Sequence, residues 1–390
     1  MVGGKMMLAT LEPLGRDALG EEDLTALVRT ITGDPAAVSG AVRVEPVDYP
    51  IGTPSTESLH RVFGTTTDGV NWSCFVKKFR SVLHWPMIDR LPEEFRRLFI
   101  HNLPWQLEIA VHRSTVADLL PEGMRLPKAY RIDVYDDDRA TLWMENVIQE
   151  WGPWPIGRFE RAAYLLGRLS ARRRPHLVQP FLPRENVTTP GIGLRFYANG
   201  RIQQTALPAL ADPATWRHPM LSAAVCNLGD HALRDDLLAL GERVPAVLDA
   251  LDALPQCYQH GDASPQNLLV PHDSPDEFVV IDWGFDCPQA VGFDLGQLLI
   301  GLAHAGELAP EALPAVHKVI LKAFQEGLRA DGMHVSEDEV LYGYLGSLLV
   351  RAAFTALPLE LFGKADASME LFEQRVQLTR TLVDLVSPVV

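Results

Sequence analysis

The segment YQHGDASPQNLLVPHDSPDEFVVIDWGFD, from Tyr258 to Asp286, contains the pattern that decides how this sequence folds. Two short apolar runs, Asn267–Val270 and Phe278–Ile281, are separated by the turn-forming residues PHDSPDE. Apolar runs of this length with a polar turn between them predict a β-hairpin. A histidine, an asparagine and several carboxylates surround the two runs, and their positions on the hairpin determine the chemistry available to them.

A symmetric hairpin register predicts that Leu268 faces Ile281 and that Asn267 faces Asp282 at the open end. Directly opposed residues have Cβ atoms roughly 5 Å apart. An amide and a carboxylate at this separation can hold Mg²⁺, which prefers oxygen ligands. Asp262 lies five positions before Asn267, so its loop can bring the carboxylate back toward the same metal-bound group. There it can accept the proton of a substrate hydroxyl, which makes Asp262 the predicted catalytic base.

The chain as a whole has the composition of an ordinary globular protein, with 390 residues, 47% hydrophobic and 22% charged. This length is enough for two domains or for one large two-lobed domain. Polar residues interrupt every apolar window well before about 20 positions, so no membrane span is predicted. The N-terminal residues MVGGKMMLATLEPLG contain one lysine and no long apolar region, so no signal peptide is expected there.

Charge and cysteine usage narrow the classes of partner. The net charge of −15 argues against a nucleic-acid partner. It is compatible with a cationic small substrate, but most acidic proteins are acidic only for solubility, which is the favoured explanation. The four cysteines are widely separated and contain no C-x-x-C pair, so neither a zinc site nor a disulfide framework is expected, and we predict a cytoplasmic location.

The N-terminal part of the chain is predicted to be rich in strands. Helical spacing indicates a helix over about 20–32, and residues 104–120 indicate another. The β-prone runs AVRVEPVDYP and NWSCFVKKF are joined by a turn-rich connection, and AYRIDVY and RATLWMENV follow as a second strand pair. The acidic triplet 136–138 between them is interpreted as a hairpin turn, the alternative being a metal cluster.

The remaining chain is predicted to be mainly helical. Long Leu- and Ala-rich helical patterns cover 158–172 and 230–254, and helical patterns resume after Asp294. The predicted fold class is therefore α+β, with a small antiparallel sheet in an N-terminal domain at 1–145 and a helical C-terminal domain at 146–390. The Gly/Pro-rich run 188–219 is interpreted as an insertion that forms a lid or a substrate loop.

The spacing H-x-D-x-x-x-x-N, followed by a hydrophobic strand that ends in Asp, is that of a kinase catalytic loop and its metal aspartate. Together HGDASPQNLLV and VVIDW resemble the aminoglycoside phosphotransferase and choline-kinase-like enzymes, which have a protein-kinase-like two-lobed fold. In that family a glycine follows the histidine, as Gly261 does here. The resemblance covers roughly Val44 to Leu302. It implies phosphorylation of a small-molecule hydroxyl with Mg²⁺ and ATP, GTP being the alternative donor.

The resemblance also implies roles for residues in the N-terminal lobe. Family sequences carry W-S, three residues and then the phosphate-binding lysine, which selects Lys77 over Lys78 and leaves Lys78 as a solvated surface residue. Glu108 on the following helix would hold that lysine; the alternative is an exposed helix acid. The remaining candidates contact the nucleotide: Ser55, Thr56 and Ser58 at the phosphates, and the backbone of Glu145–Val147, with Met144 behind it, at adenine. An ordinary polar turn explains the first group equally, and a buried strand end is the alternative for the second.

Further candidates lie in the helical lobe. The family places an aspartate like Asp294 so that it braces the catalytic loop, although capping of its own helix is sufficient to explain it. His260 is predicted to support the loop by holding backbone carbonyls, and Asp286 to act either as a cap or as support for the metal site. Acidic residues that could meet a cationic substrate, or simply lie on solvated helix faces, are Glu307, Glu360 and Glu370.

Three functions follow from these residues. The first is phosphoryl transfer to an aminoglycoside or other antibiotic, a sugar or an amino alcohol, which leaves both an antibiotic-resistance role and a metabolic role open. The second is a kinase-like nucleotide-binding module without activity, which should lack Asp262, Asn267, Asp282 or the lysine. The third is a metal-dependent hydrolase built on His260, Asp262 and Asp282, which needs further ligands nearby.

Overall fold

The computed structural model describes residues 11–49, 51–150, 152–182, 185–364 and 367–390, without the side chains of 185 and 186. Most of the segment examined for a signal peptide therefore lies outside the described residues. The chain divides into two compact units, Met1–Ser114 with Leu126–Gln149, and Thr115–Arg125 with Glu150–Val390. No helix in the described ranges is both long enough and apolar enough to cross a bilayer.

The strands in chain order are β1 Ser39–Pro46, β2 Thr56–Thr66, β3 Asn71–Arg80, β4 Met124–Arg125, β5 Ala129–Tyr135, β6 Arg139–Glu145, β7 Gln256–Gln259, β8 Leu268–Leu269, β9 Phe278–Val280 and β10 Cys287–Ala290. The helices are α1 Glu21–Thr32, α2 Glu93–Asn102, α3 Leu107–Arg113, α4 Val116–Leu119, α5 Ile156–Arg172, α6 Glu185–Thr188, α7 Ile192–Tyr197, α8 Leu207–Ala211, α9 Pro213–Trp216, α10 Pro219–Leu228, α11 Leu233–Ala253, α12 Asp294–His304, α13 Leu313–Ala330, α14 Glu337–Leu348 and α15 Met369–Val386. Segments of π-helix cover Ala198–Ala206 and Leu349–Ala353.

The first unit is built on one antiparallel sheet with the strand order β1-β2-β3-β6-β5. Successive side chains of a strand point to opposite faces, so β3 contributes to two apolar clusters. Its residues Trp72, Cys74 and Val76 pack with α1 on one face. Phe75 and Phe79 pack on the other face with the residues around α3.

The prediction that residues 51–69 form a turn-rich connection is wrong, because most of this run is strand β2. Eleven residues, Thr56–Thr66, form a strand that pairs on both edges, with β1 and with β3. Its serine, threonine, histidine and glycine residues hide the period-2 pattern that would have revealed it. Ladder hydrogen bonds on both sides hold this strand in place, and they leave no signature in side-chain hydrophobicity.

The prediction of one continuous helix over 104–120 is also wrong. It forms as two short helices, α3 and α4, because the backbone at Ser114 is extended. The Ser114 hydroxyl donates a hydrogen bond of 2.7 Å to the Val111 carbonyl, and such local bonds compete with helix continuation. The acidic triplet forms the predicted turn between β5 and β6, with Asp138 at φ 59°.

In the second unit, α5 packs closely against α13. A Cβ atom at Gly167 would lie 2.2 Å from the Phe324 carbonyl oxygen, and one at Gly327 would lie 2.0 Å from that of Tyr164. Only glycine permits this backbone approach. The predicted hairpin is present as β8 and β9, while β7 pairs with β10. The run 188–219, predicted as a loop, is largely helical and buries Leu194 and other apolar side chains.

Candidate active site

The loop after β7 is fixed by the carboxylate of Asp294. The backbone N–H groups of His260 and Gly261 donate to its two oxygens at 2.9 and 2.8 Å. Asp294 does not cap its own helix, since the N-cap residue of α12 is Phe293 and no side chain caps it. Burial raises the pKa of Asp294 to about 6, while the two backbone donors act in the opposite direction.

His260 connects this loop to the end of the hairpin. Its ring Nε2 lies 2.9 Å from the Ile281 carbonyl oxygen, and the Asp262 N–H donates to Nδ1 at 3.2 Å. The two contacts together assign the proton to Nε2. Gly261 between them has φ 86°, and a Cβ there would lie 2.3 Å from the Phe285 carbonyl oxygen. No other residue fits this position without displacing the Phe285 backbone.

Asp262 and Asn267 lie against each other. The Asn267 side-chain amide donates to the Asp262 carbonyl oxygen at 2.8 Å and to its Oδ2 at 3.1 Å. Because both contacts use Nδ2, the Asn267 amide oxygen is left for another partner. The chain between the two residues turns through Pro265–Asn267, a 3₁₀ segment. This turn accounts for the return of the Asp262 carboxylate that the five-residue spacing predicted.

The hairpin register differs by one residue from the symmetric prediction. Leu268 pairs with Val280, and the Ile281 N–H donates to the Asn267 carbonyl oxygen at 3.0 Å. Asp282 therefore lies one residue beyond the ladder. Its φ of 62° is left-handed, which is uncommon for residues other than glycine and turns the chain out of the strand direction.

Asp262 is surrounded by charges of both signs. Burial is the largest influence and raises its pKa, the Asp282 charge raises it further, and Arg351 and Asn267 lower it. Arg351 Nη2 lies 3.5 Å from Asp262 Oδ1. Arg351 comes from the π-helical segment that follows α14, and sequence reasoning missed it because no motif connects it to the loop.

Asp286 forms a buried ion pair that sequence reasoning also missed. Arg173, at the C-terminal end of α5, donates to its two oxygens at 2.7 and 3.0 Å, and both side chains are at most 2% exposed. The guanidinium also lies 5.6 Å from the Trp283 ring centroid. Asp286 is therefore not a helix cap. It fixes the chain four residues after Asp282.

In the first unit, Lys77 Nζ lies 2.6 Å from Glu108 Oε2, and both side chains are buried. The alternative of an exposed helix acid is thus wrong for Glu108. The prediction of a solvated Lys78 is wrong as well: it is 8% exposed and lies 2.5 Å from Asp17. The N-terminal 3₁₀ segment Glu12–Asp17 covers that sheet face, and nothing in the strand pattern predicts this cover.

The predicted nucleotide-contacting residues occupy two strand ends of the same sheet. Thr56 begins β2 and is buried, and the Ser55 hydroxyl lies 2.9 Å from that of Thr53. Glu145 ends β6, and its Oε2 accepts from the Lys128 N–H at 3.1 Å. Val147 is half-buried two residues later. Their roles toward a nucleotide remain predictions.

The donor set at the hairpin end fits a hard divalent cation. The Asn267 amide oxygen and the Asp282 carboxylate are oxygen ligands of the kind Mg²⁺ takes from proteins, alongside waters and phosphates. Within the described ranges, no group of three or more His, Cys, Asp and Glu side chains could hold a metal. The described residues therefore do not supply the further metal ligands that the hydrolase hypothesis requires.

A comparison with known protein families matches part of the chain. Residues 161–331 match the model of the phosphotransferase enzyme family, a range that contains the His260–Asp262 loop, Asn267, Asp282 and Asp294. The predicted resemblance to a phosphotransferase family is confirmed over these residues, and the antiparallel sheet of the first unit with the mainly helical second unit confirms the α+β class. Among curated proteins, none matches this chain.

Several solved structures are similar in fold. An aminoglycoside phosphotransferase from Alicyclobacillus acidocaldarius is 13% identical, with 88% of this chain and 96% of that chain covered and a TM-score of 0.46. An amicoumacin kinase in complex with AMP-PNP, Ca²⁺ and Ami is 11% identical, with 88% of each chain covered and a TM-score of 0.48. A choline kinase from Cryptosporidium parvum is 9% identical, with 94% of each chain covered and a TM-score of 0.43.

Proposed function

We propose that this protein is an ATP-dependent phosphotransferase that phosphorylates a hydroxyl group of a small molecule, with Asp262 as the catalytic base. One observation carries the proposal. In the segment that matches the phosphotransferase family, Asp262 is held beside Asn267 on a loop whose backbone is fixed by Asp294. These contacts support the proposed roles of Asp262 as base and of Asn267 as a cation ligand.

Each residue of the loop has a separate task in this proposal. Asn267 occupies Asp262 Oδ2, which leaves Oδ1 to accept the hydroxyl proton. The acceptor oxygen bonds to the γ-phosphorus as its O–H proton passes to Oδ1, and the bond to the ADP oxygen breaks. Asn267 and Asp282 would hold Mg²⁺, which neutralises charge on the phosphates. Burial keeps the pKa of Asp262 raised, which makes its carboxylate a stronger base than an exposed one.

The first unit supplies the nucleotide-binding residues in this proposal. Lys77, fixed by Glu108, binds phosphate oxygens as a point charge, and Ser55 and Thr56 add hydroxyl and backbone contacts. The backbone of Glu145–Val147 binds adenine, and GTP is the alternative donor to be tested beside ATP. A cytoplasmic location is part of this proposal.

A thermal shift experiment with Mg-ATP tests the proposal. The parent protein should be stabilised, because a ligand that binds only the folded state raises the unfolding free energy. Asp282→Ala should lose most of that shift, whereas Asp276→Ala, on the exposed hairpin turn, should keep it. The absence of a shift in the parent, or an unchanged shift in Asp282→Ala, contradicts the proposed nucleotide site.

Identification of the acceptor needs a screen for ADP release. Aminoglycosides, other hydroxylated antibiotics, sugars and amino alcohols form the panel, each measured with ATP and with GTP. A resistance role requires turnover of an antibiotic, whereas a metabolic role requires turnover of a sugar or amino alcohol. Mg-ATP binding without turnover of any hydroxyl compound would favour a nucleotide-binding module without activity.

A further inference from the structure

Arg351 is half-buried, and it differs in its hydrogen bonding from the two buried arginines Arg173 and Arg375 of its unit. Arg173 donates two bonds to Asp286, and Arg375 donates to the carbonyl oxygen of Ala356 at 2.6 Å. In the part of the chain that the structure describes, no oxygen accepts a hydrogen bond from the Arg351 guanidinium. Its ion pair with Asp262 spans 3.5 Å, which is longer than the 2.7–3.2 Å or so of a protein N–H···O bond.

Aromatic rings enclose this guanidinium. Its central carbon lies 5.3 Å from the ring centroid of Tyr197, 5.6 Å from that of Phe285 and 5.7 Å from that of Phe293. The faces of these rings attract a cation but do not satisfy its planar set of N–H donors. Only 17% of the Arg351 side chain is exposed, so water has limited access to those donors. An oxygen-bearing anion is the partner that this geometry lacks.

The run 188–219 contributes to the same enclosure. The Tyr197 hydroxyl donates to the Arg351 carbonyl oxygen at 3.2 Å, which ties α7 to the π-helical segment carrying the arginine. Phe285, three residues after Asp282, is 42% exposed. It offers an apolar face to any molecule that reaches the guanidinium and Asp262 together.

We propose that Arg351 binds an anionic group, a carboxylate or a phosphate, on the acceptor whose hydroxyl Asp262 deprotonates. The proposal rests on the phosphotransferase function and names its acceptor class: hydroxylated acids. In the free protein Arg351 and Asp262 face each other. When the acceptor binds, its anion becomes the partner of the guanidinium, and Asp262 Oδ1 is released to take the hydroxyl proton.

Electrostatics favour an acid over the cationic acceptor suggested by the net charge. The cation nearest to Asp262 Oδ1 among the described contacts is Arg351 itself, and a second cation there would be repelled by it. Of the three acidic candidates for cation binding, Glu360 is already paired with Arg375 at 3.2 Å. Glu307 and Glu370 are exposed on the surface.

Turnover of matched acceptors tests this inference. Glycerate, glycerol and 2-amino-1,3-propanediol carry an anionic, a neutral and a cationic group on three-carbon hydroxyl compounds, and larger hydroxy acids extend the series. Acids should be preferred, and Arg351→Met should raise their KM by roughly 10- to 100-fold, the range of a charge-assisted hydrogen bond. Arg351→Lys should recover part of the loss. Arg243→Met, which removes an exposed arginine of the same unit outside the run 188–219, should change nothing.

Binding measurements keep the inference testable if no compound in the series is turned over. Titration calorimetry with glycerate and with inorganic phosphate should show an anion site in the parent and in Arg243→Met that is lost in Arg351→Met. A preference of the parent for neutral or cationic acceptors would overturn the proposal. So would an equal loss of kcat for all acceptors in Arg351→Met, or anion binding of the same strength in Arg351→Met and in the parent. The Mg-ATP thermal shift should be the same in Arg351→Met as in the parent, because Arg351 binds the acceptor and not the nucleotide. A parent protein without any Mg-ATP shift would contradict the phosphotransferase function, and this outcome is distinct from a failure of the anion site.

Discussion

The buried pair of Arg173 and Asp286 provides a test of how the hairpin segment is held. Both side chains are at most 2% exposed and share two hydrogen bonds of 2.7 and 3.0 Å. Removing one partner of such a pair leaves the other charge without compensation and costs about 3–5 kcal/mol of unfolding free energy. We therefore expect losses of that size for Arg173→Met and for Asp286→Leu.

The two single variants should differ in their pH dependence. Burial already raises the pKa of Asp286, and Arg173 opposes this. In Arg173→Met the opposing charge is gone, so the folded-state pKa of Asp286 lies still further above its unfolded value of about 3.9. The folded variant retains that proton as pH rises through this window, and its unfolding free energy falls there. Arg173 cannot release a proton, so the unfolding free energy of Asp286→Leu itself should carry no pH slope from this pair.

Urea unfolding at pH 5 and pH 8 measures both effects. The double variant Arg173→Met/Asp286→Leu should lose about 2 kcal/mol less than the sum of the single losses, because the pair is coupled. The deficit of Arg173→Met should be smaller at pH 5 than at pH 8. Arg43→Met, which breaks an exposed pair with Glu45, is the control and should cost less than about 1 kcal/mol. Additive losses, or the same pH response in both single variants, would refute the reasoning.

Three further predictions concern the loop brace, the covered sheet face and the base. Asp294→Ala leaves two buried backbone N–H groups without an acceptor and should lower the unfolding free energy by about 2–5 kcal/mol in urea. Burial raises the pKa of Asp294 to about 6, so the unfolding free energy of the parent should fall as pH rises from about 4 to about 6. Asp294→Asn should remove this pH dependence. The same pH dependence in Asp294→Asn would show that Asp294 is not its source. Lys78→Met should destabilise the protein by about 3–5 kcal/mol, because Asp17 remains buried without its cation; a change under about 1 kcal/mol would mean that the site is solvated. Burial raises the pKa of Asp262, so the acid limb of the kcat profile should lie above the ordinary range of an aspartate, and a limb at or below about pH 4 would contradict this.

Local spacing was sufficient to predict the elements around the loop. The hairpin, the return of Asp262 toward Asn267 and the strand bearing Lys77 depend on residues close in sequence, and the structure contains each of them. The register of the hairpin was predicted one residue out, because Leu268 pairs with Val280 rather than with Ile281. The symmetric assumption left the length of the turn between the strands undetermined, and turn geometry sets the register.

The residues that sequence reasoning missed are distant in the chain from their partners. Arg351 and Arg173 lie in helical segments with no motif, and the run ARRRPH around Arg173 looks like an ordinary solvated helix end. Lys78 was misassigned for a related reason. Alternation along β3 correctly separates the faces of Lys77 and Lys78, but only tertiary packing shows that both faces are covered. A buried arginine without a motif gives no signal until its partners are known.

Turnover by Asp262→Asn tests the central claim most directly. The measurement is Mg-ATP-dependent ADP release with an acceptor found in the screen, compared between the parent, Asp262→Asn and the hairpin-turn control Asp276→Asn. If Asp262 is the base, Asp262→Asn should keep the Mg-ATP thermal shift while its kcat falls by about 10²–10⁴-fold, and the control should match the parent. Undiminished turnover in Asp262→Asn would contradict the account.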